Sequence, residues 1–144
     1  MAMEEIFGHQ GVNAILNSAS QSSLIDNYPP DNLELQFSFS TVSRIQSALE
    51  EAYGTCAGHG LALRVGRACF KYWLRDFGSL SGLTDKSIHH LPLSSKLQAG
   101  LTSFADIFNR FSDQRVLLDE DPGQLYWQIK RCPLCWERQS EHPV

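Results

Sequence analysis

Apolar residues recur at three- and four-residue intervals in several stretches of the chain and alternate with polar ones near its end. In the first stretch Val12, Ile15, Leu16 and Ala19 share one helical face, and the pair Leu24 and Ile25 precedes a break at Tyr28-Pro-Pro-Asp31. The alternation of Leu35, Phe37 and Phe39 predicts a short extended segment leading into a second helix. Ser40 is the expected N-cap of that helix, with Val42, Ile45, Leu49, Ala52 and Tyr53 inward and Arg44, Gln46, Glu50 and Glu51 outward; Gly54 can end it at positive φ. A third helix is predicted over 57–77 from Leu61, Val65, Ala68, Cys69, Tyr72 and Trp73. Gly58, Gly60 and Gly66 each weaken it by about 1 kcal/mol relative to Ala, so close packing at Gly66 is expected to compensate; Gly78 stops it.

Residues 79–91 carry no periodicity and read as a loop ending at Pro92. From Ser94 a fourth helix places Leu97, Leu101, Phe104, Ile107, Phe108 and Phe111 on one face. Segments 115–119 and 125–132 then flank Glu120-Asp-Pro-Gly-Gln124, where Pro122 and Gly123 suit a type II turn, and Leu125, Trp127 and Ile129 alternate with polar neighbours. The expected architecture is α+β, about four helices packed with a C-terminal antiparallel β-hairpin, in one domain over 1–144 with flexible ends at 1–10 and 137–144.

A chain of 144 residues buries roughly two thirds of its unfolded surface, enough for a core without a disulfide or metal. A net charge of −4 with no basic stripe removes the electrostatic footprint of nucleic-acid binding. Glu4 and Glu5 precede any apolar run, unlike a secretory signal, and no stretch is long and apolar enough to span a membrane. The sequence therefore reads as soluble and cytoplasmic, with its cysteines reduced.

Cys132-Pro-Leu-Cys135 has the spacing at which two thiolates reach one tetrahedral zinc. Four donors are needed for a closed site; Glu137, Glu141 and His142 follow, and His59, His89, His90, Cys56 and Cys69 are remote. A pair of inert thiols explains the same spacing, and a redox pair does so less well without a thioredoxin-like βαβ pattern. His89 and His90, adjacent in a loop, read as solvated. Phe70, Trp73, Phe104, Phe108, Phe111 and Trp127 are either core packing or the lining of an apolar pocket, with Phe70, Trp73, Phe104, Phe108 and Trp127 the candidate ligand-binding set. No nucleophile elbow, phosphate-cradling loop or dinucleotide fingerprint occurs, and Asp119, Glu120 and Asp121 read as a solvated turn cluster.

The order of Asn13-Ala-Ile-Leu16, Tyr28-Pro-Pro-Asp31, Leu49-Glu-Glu-Ala-Tyr-Gly54, Arg64-Val-Gly-Arg-Ala-Cys-Phe70, Leu91-Pro-Leu93 and Arg131-Cys-Pro-Leu-Cys-Trp136 resembles the 4-vinyl reductase domain family from Gly11 onward. The resemblance implies a small-molecule-binding fold related to subunits of a transport-particle tethering complex. Family members serve as hydrocarbon or phenol sensors in bacterial regulators and as a factor linked to 4-vinyl reduction in bacteriochlorophyll synthesis. The family's zinc-ligand segment would follow the last residue here, so the chain is expected to be the front portion of such a domain, and no family zinc ligand transfers to a numbered residue. Cys132 and Cys135 are metal candidates on spacing alone. The expected function is non-catalytic binding or sensing of an apolar hydrocarbon or tetrapyrrole-like molecule. The alternatives are an enzyme or accessory factor of vinyl reduction, and a dimerisation or scaffold module acting as a homodimer or with a partner protein.

Overall fold

A computed structural model gives the fold and describes residues 1–82, 88, 90–121 and 124–138. Among these, four helices precede one antiparallel pair of strands: α1 (Ala2–Ser18), α2 (Phe39–Tyr53), α3 (Thr55–Ser81), α4 (Leu93–Phe111), β1 (Arg115–Asp121) and β2 (Gln124–Arg131), with a single 3₁₀ turn at Ser22–Leu24. The arrangement is α+β. Two compact units divide it: Met1–Tyr72 with the segment from Pro133, and Trp73–Cys132. No helix among the described residues is long and apolar enough to cross a membrane.

In the first unit Ile15 of α1 and Ala19 just after it bury against Ala48 and Leu49 of α2, with Met3, Phe7 and Ile45 packed around them. Helix α1 begins at Ala2 rather than Gly11, and Phe7 stacks on Tyr53 at 5.9 Å. The stretch 1–10, expected to be a loose end, is thus helical from its second residue. Periodicity could not show this, because Gly8 interrupts the helix at φ 67 and ψ 168, a conformation open to glycine, and resets the face before Val12. Beyond that kink His9 bridges Glu4 at 3.1 Å and Asp26 at 2.9 Å, tying α1 to the loop that follows it.

Ser38, not Ser40, caps α2: its hydroxyl accepts the Thr41 amide at 3.1 Å. Leu35 and Phe37 form no strand and stand exposed. The buried face of α2 holds Ser43, Gln46, Ala48 and Leu49, so the expected inward Ala52 and Tyr53 are exposed and the expected outward Gln46 is buried. The two buried polar side chains both find partners, Ser43 outside the helix and Gln46 one turn along it. Ser43 Oγ donates to the Trp136 carbonyl at 2.6 Å, and Gln46 Nε2 donates to Glu50 Oε1 at 2.9 Å. The close approach to α3 occurs at Gly58, where a Cβ would lie 2.9 Å from Glu50 Cα, while Gly66 faces open space. Gly54 ends α2 at φ 78, and α3 runs on past Gly78 to Ser81, where Gly82 takes φ 65.

In the second unit α4 lies on one face of the hairpin and buries Ala105, Ile107 and Val116. On that face Val116 sits opposite Ile129, Leu118 opposite Trp127, and Glu120 opposite Leu125; Leu117, Asp119 and Asp121 of the other face meet Gln128, Tyr126 and Gln124. The predicted turn residues Pro122 and Gly123 lie outside the described residues, as do His89 and the segment from Gln139 onward that includes Glu141 and His142.

Candidate functional site

Four of the five aromatic candidates form one continuous run in the second unit. Trp73, on the last turns of α3, meets Phe104 at a ring separation of 4.9 Å; Phe104 and Phe108, four residues apart on α4, are 6.3 Å from each other; Phe108 meets Trp127 of β2 at 5.9 Å. All three contacts are tilted, with interplanar angles of 53°, 37° and 35°. The helical repeat of α4 stacks its two rings on one face, and the β2 alternation turns Trp127 toward that face beside Leu118. Trp127 stays 37% exposed, so the run opens to solvent at its β2 end. Phe70, one turn before Trp73, is 47% exposed and belongs to the other unit.

Below the aromatic run the fold is pinned by Asn109. Its side-chain amide donates to the Val116 carbonyl at 2.8 Å and accepts the Val116 amide at 2.9 Å, as a neighbouring strand would. A shallow open cleft of about 380 Å³ adjoins it, lined by Asn109, Ser112, Asp113, Gln114, Arg115, Lys130 and Arg131. Its lining residues are all polar or charged, and it shares none of them with the aromatic run. It offers cations and amides, whereas the run offers ring faces and edges suited to a flat apolar guest.

Cys132 closes the second unit and Cys135 lies in the first; neither forms a disulfide among the described residues, and Cys132 is half-buried and Cys135 exposed. Two thiolates are half of a tetrahedral zinc set, and among the described residues no group of three or more His, Cys, Asp and Glu side chains is gathered to hold a metal.

Around those cysteines the chain docks on α2. Phe39 meets Trp136 edge-on at 5.4 Å, and the Arg138 guanidinium pairs with Glu50, both partners at most 17% exposed. Burial alone would raise the Glu50 pKa, but hydrogen bonds from Gln46 and Arg138, with the Arg138 and His59 charges, hold it below the usual value. Sequence reading missed both Asn109 and this pair. An Asn in the last turn of a helix just before a strand is a weak signal for the first, and a partner 88 residues away leaves none for the second.

No protein-family model, curated protein or solved structure matches the chain.

Proposed function

We propose that the chain binds an apolar, flat small molecule, a hydrocarbon or tetrapyrrole-like guest, without transforming it. The carrying observation is the run Trp73, Phe104, Phe108 and Trp127, drawn from three elements and open to solvent at Trp127. Tilted rings at these separations present edges and faces that extend naturally to a further aromatic partner, each such contact adding about 0.5–1.5 kcal/mol beyond buried area. The chain's resemblance to 4-vinyl reductase domains, whose fold is related to transport-particle tethering subunits, supports the same ligand class. In this reading the guest sits against Trp127 and Phe108, and α4 provides the rigid wall.

The test is tryptophan fluorescence during titration with polycyclic aromatic hydrocarbons and porphyrins, on the wild type and on Trp127→Ala and Phe108→Ala. Saturable quenching that weakens by at least tenfold in either variant is expected, matching the loss of about 1.4 kcal/mol or more at an aromatic anchor. Linear, unsaturable quenching with every probe, or wild-type affinity in both variants, refutes the reading.

A further inference from the structure

The hydrogen-bonding groups of the hairpin divide its two edges unequally. Asn109 takes both backbone groups of Val116, so these point away from β2; by the alternation of an antiparallel strand, those of Leu118 and Glu120 do the same. The β1 edge is therefore partly closed: Val116 is held by Asn109, and the Glu120 amide donates to the Asp119 carboxylate at 3.0 Å. On β2 the same alternation sends the backbone groups of Leu125, Trp127 and Ile129 outward, and among the described residues none of them finds a partner on that side. Trp127 and Ile129 are 37% and 42% exposed there. An unpaired edge three residues long with apolar side chains is a template for another strand.

Charge identifies the strand that fits. One end of the hairpin carries Asp119, Glu120 and Asp121, the other Arg115, Lys130 and Arg131. An antiparallel copy of the same hairpin sets the acidic end of each against the basic end of the other. We infer that the β2 edge pairs with β2 of a second copy about a two-fold axis through Trp127, extending each two-stranded sheet into a four-stranded one.

Outward groups must meet outward groups, and of the registers that allow this the one centred on Trp127 engages all three outward residues of each β2. Trp127 then faces the partner's Trp127, and Leu125 faces the partner's Ile129, exchanging about six backbone hydrogen bonds in all. Gln124 lies opposite the partner's Lys130, the extra residue at the β2 bulge between Ile129 and Arg131, with Asp121 next in the same row, and Tyr126 lies beside the partner's Gln128. No like charges stand directly opposite. The apolar side chains of β2 form one stripe continuous across the axis, on the face that carries α4.

Sedimentation equilibrium on the full chain, from micromolar to near-millimolar concentration, tests this with Gln124→Lys and Gln124→Glu. Within one hairpin Gln124 faces Asp121, so Lys strengthens the hairpin and Glu weakens it. Across the proposed axis the signs reverse, because the neighbour is the partner's Lys130. The wild type is expected to dimerise, with Gln124→Lys raising the dissociation constant by roughly two- to thirtyfold, two cross-strand pairs being affected per dimer, and Gln124→Glu lowering it. Added salt should shrink the difference between the variants. A chain that is monomeric throughout overturns the inference. So does a dimer whose affinity is unmoved by both substitutions or shifted the same way by both. Ligand titration is read separately, so failure of the binding reading leaves this result standing.

Discussion

Asn109→Ala should loosen the second unit at one identifiable point. Asn109 makes hydrogen bonds of 2.8 and 2.9 Å to both backbone groups of Val116, a residue only 1% exposed. Each bond is worth a net 0.5–1.5 kcal/mol, and leaving a buried amide and carbonyl unpaired adds to the loss; because Asn109 itself is exposed, water can enter behind the substitution and limit the total to about 2 kcal/mol. With the chain in two units, a single melting temperature would blend two events, so the measurement of choice is native-state hydrogen exchange at the Val116 amide. Exchange should accelerate roughly thirtyfold, the ratio that 2 kcal/mol implies. Asn109→Asp sharpens the test: it keeps an acceptor for the Val116 amide but turns a carboxylate oxygen toward the Val116 carbonyl. That repulsion raises the new carboxyl's folded-state pKa, so the variant should regain protection as pH falls through it and the protonated carboxyl becomes a donor. Val116 exchange within twofold of wild type in Asn109→Ala, or pH-independent exchange in Asn109→Asp relative to wild type, would refute the reasoning.

Leu49→Ala removes a side chain that is 3% exposed between α1 and α2 and should cost about 2–5 kcal/mol, seen as early loss of helical circular dichroism. Because the folded-state pKa of Glu50 is lowered, its stabilising contribution is present above the ordinary carboxylate range and disappears as pH falls through the depressed value. Arg138→Ala should therefore raise the Glu50 titration in a carbon-detected NMR series and move the onset of acid unfolding upward; an unmoved Glu50 titration would contradict the pairing.

Long periodic stretches made the element order legible: the Leu97 to Phe111 spacing and the Leu125, Trp127, Ile129 alternation each correspond to an observed element. Phe104, Phe108 and Trp127 were recognisable as co-facing for the same reason, since helical and strand repeats alone put them on inner faces. Polar contacts were not legible. The seat of Ser43 depends on the carbonyl of Trp136, 93 residues on, which no local pattern encodes, and the buried Gln46 is satisfied by Glu50 one turn along the same helix. Glycine was misleading for a related reason. Gly66 lies midway along α3 but faces open space, and the close approach falls at Gly58, because the turn at Gly54 brings the start of α3 back over Glu50. The start of α1 was hidden by the kink at Gly8, which breaks the phase that periodicity relies on.

Whether an apolar guest meets the Trp127 end of the aromatic run is tested most directly by the indole N–H resonances in a nitrogen-15 correlation spectrum. The chain has three tryptophans, and Trp136 packs on Phe39 in the other unit, so it serves as an internal reference. Titration with a polycyclic hydrocarbon or porphyrin should shift Trp127 strongly and Trp73 measurably in a saturable way while Trp136 stays in place. Uniform small shifts of all three, or a saturable shift at Trp136 alone, would contradict the account.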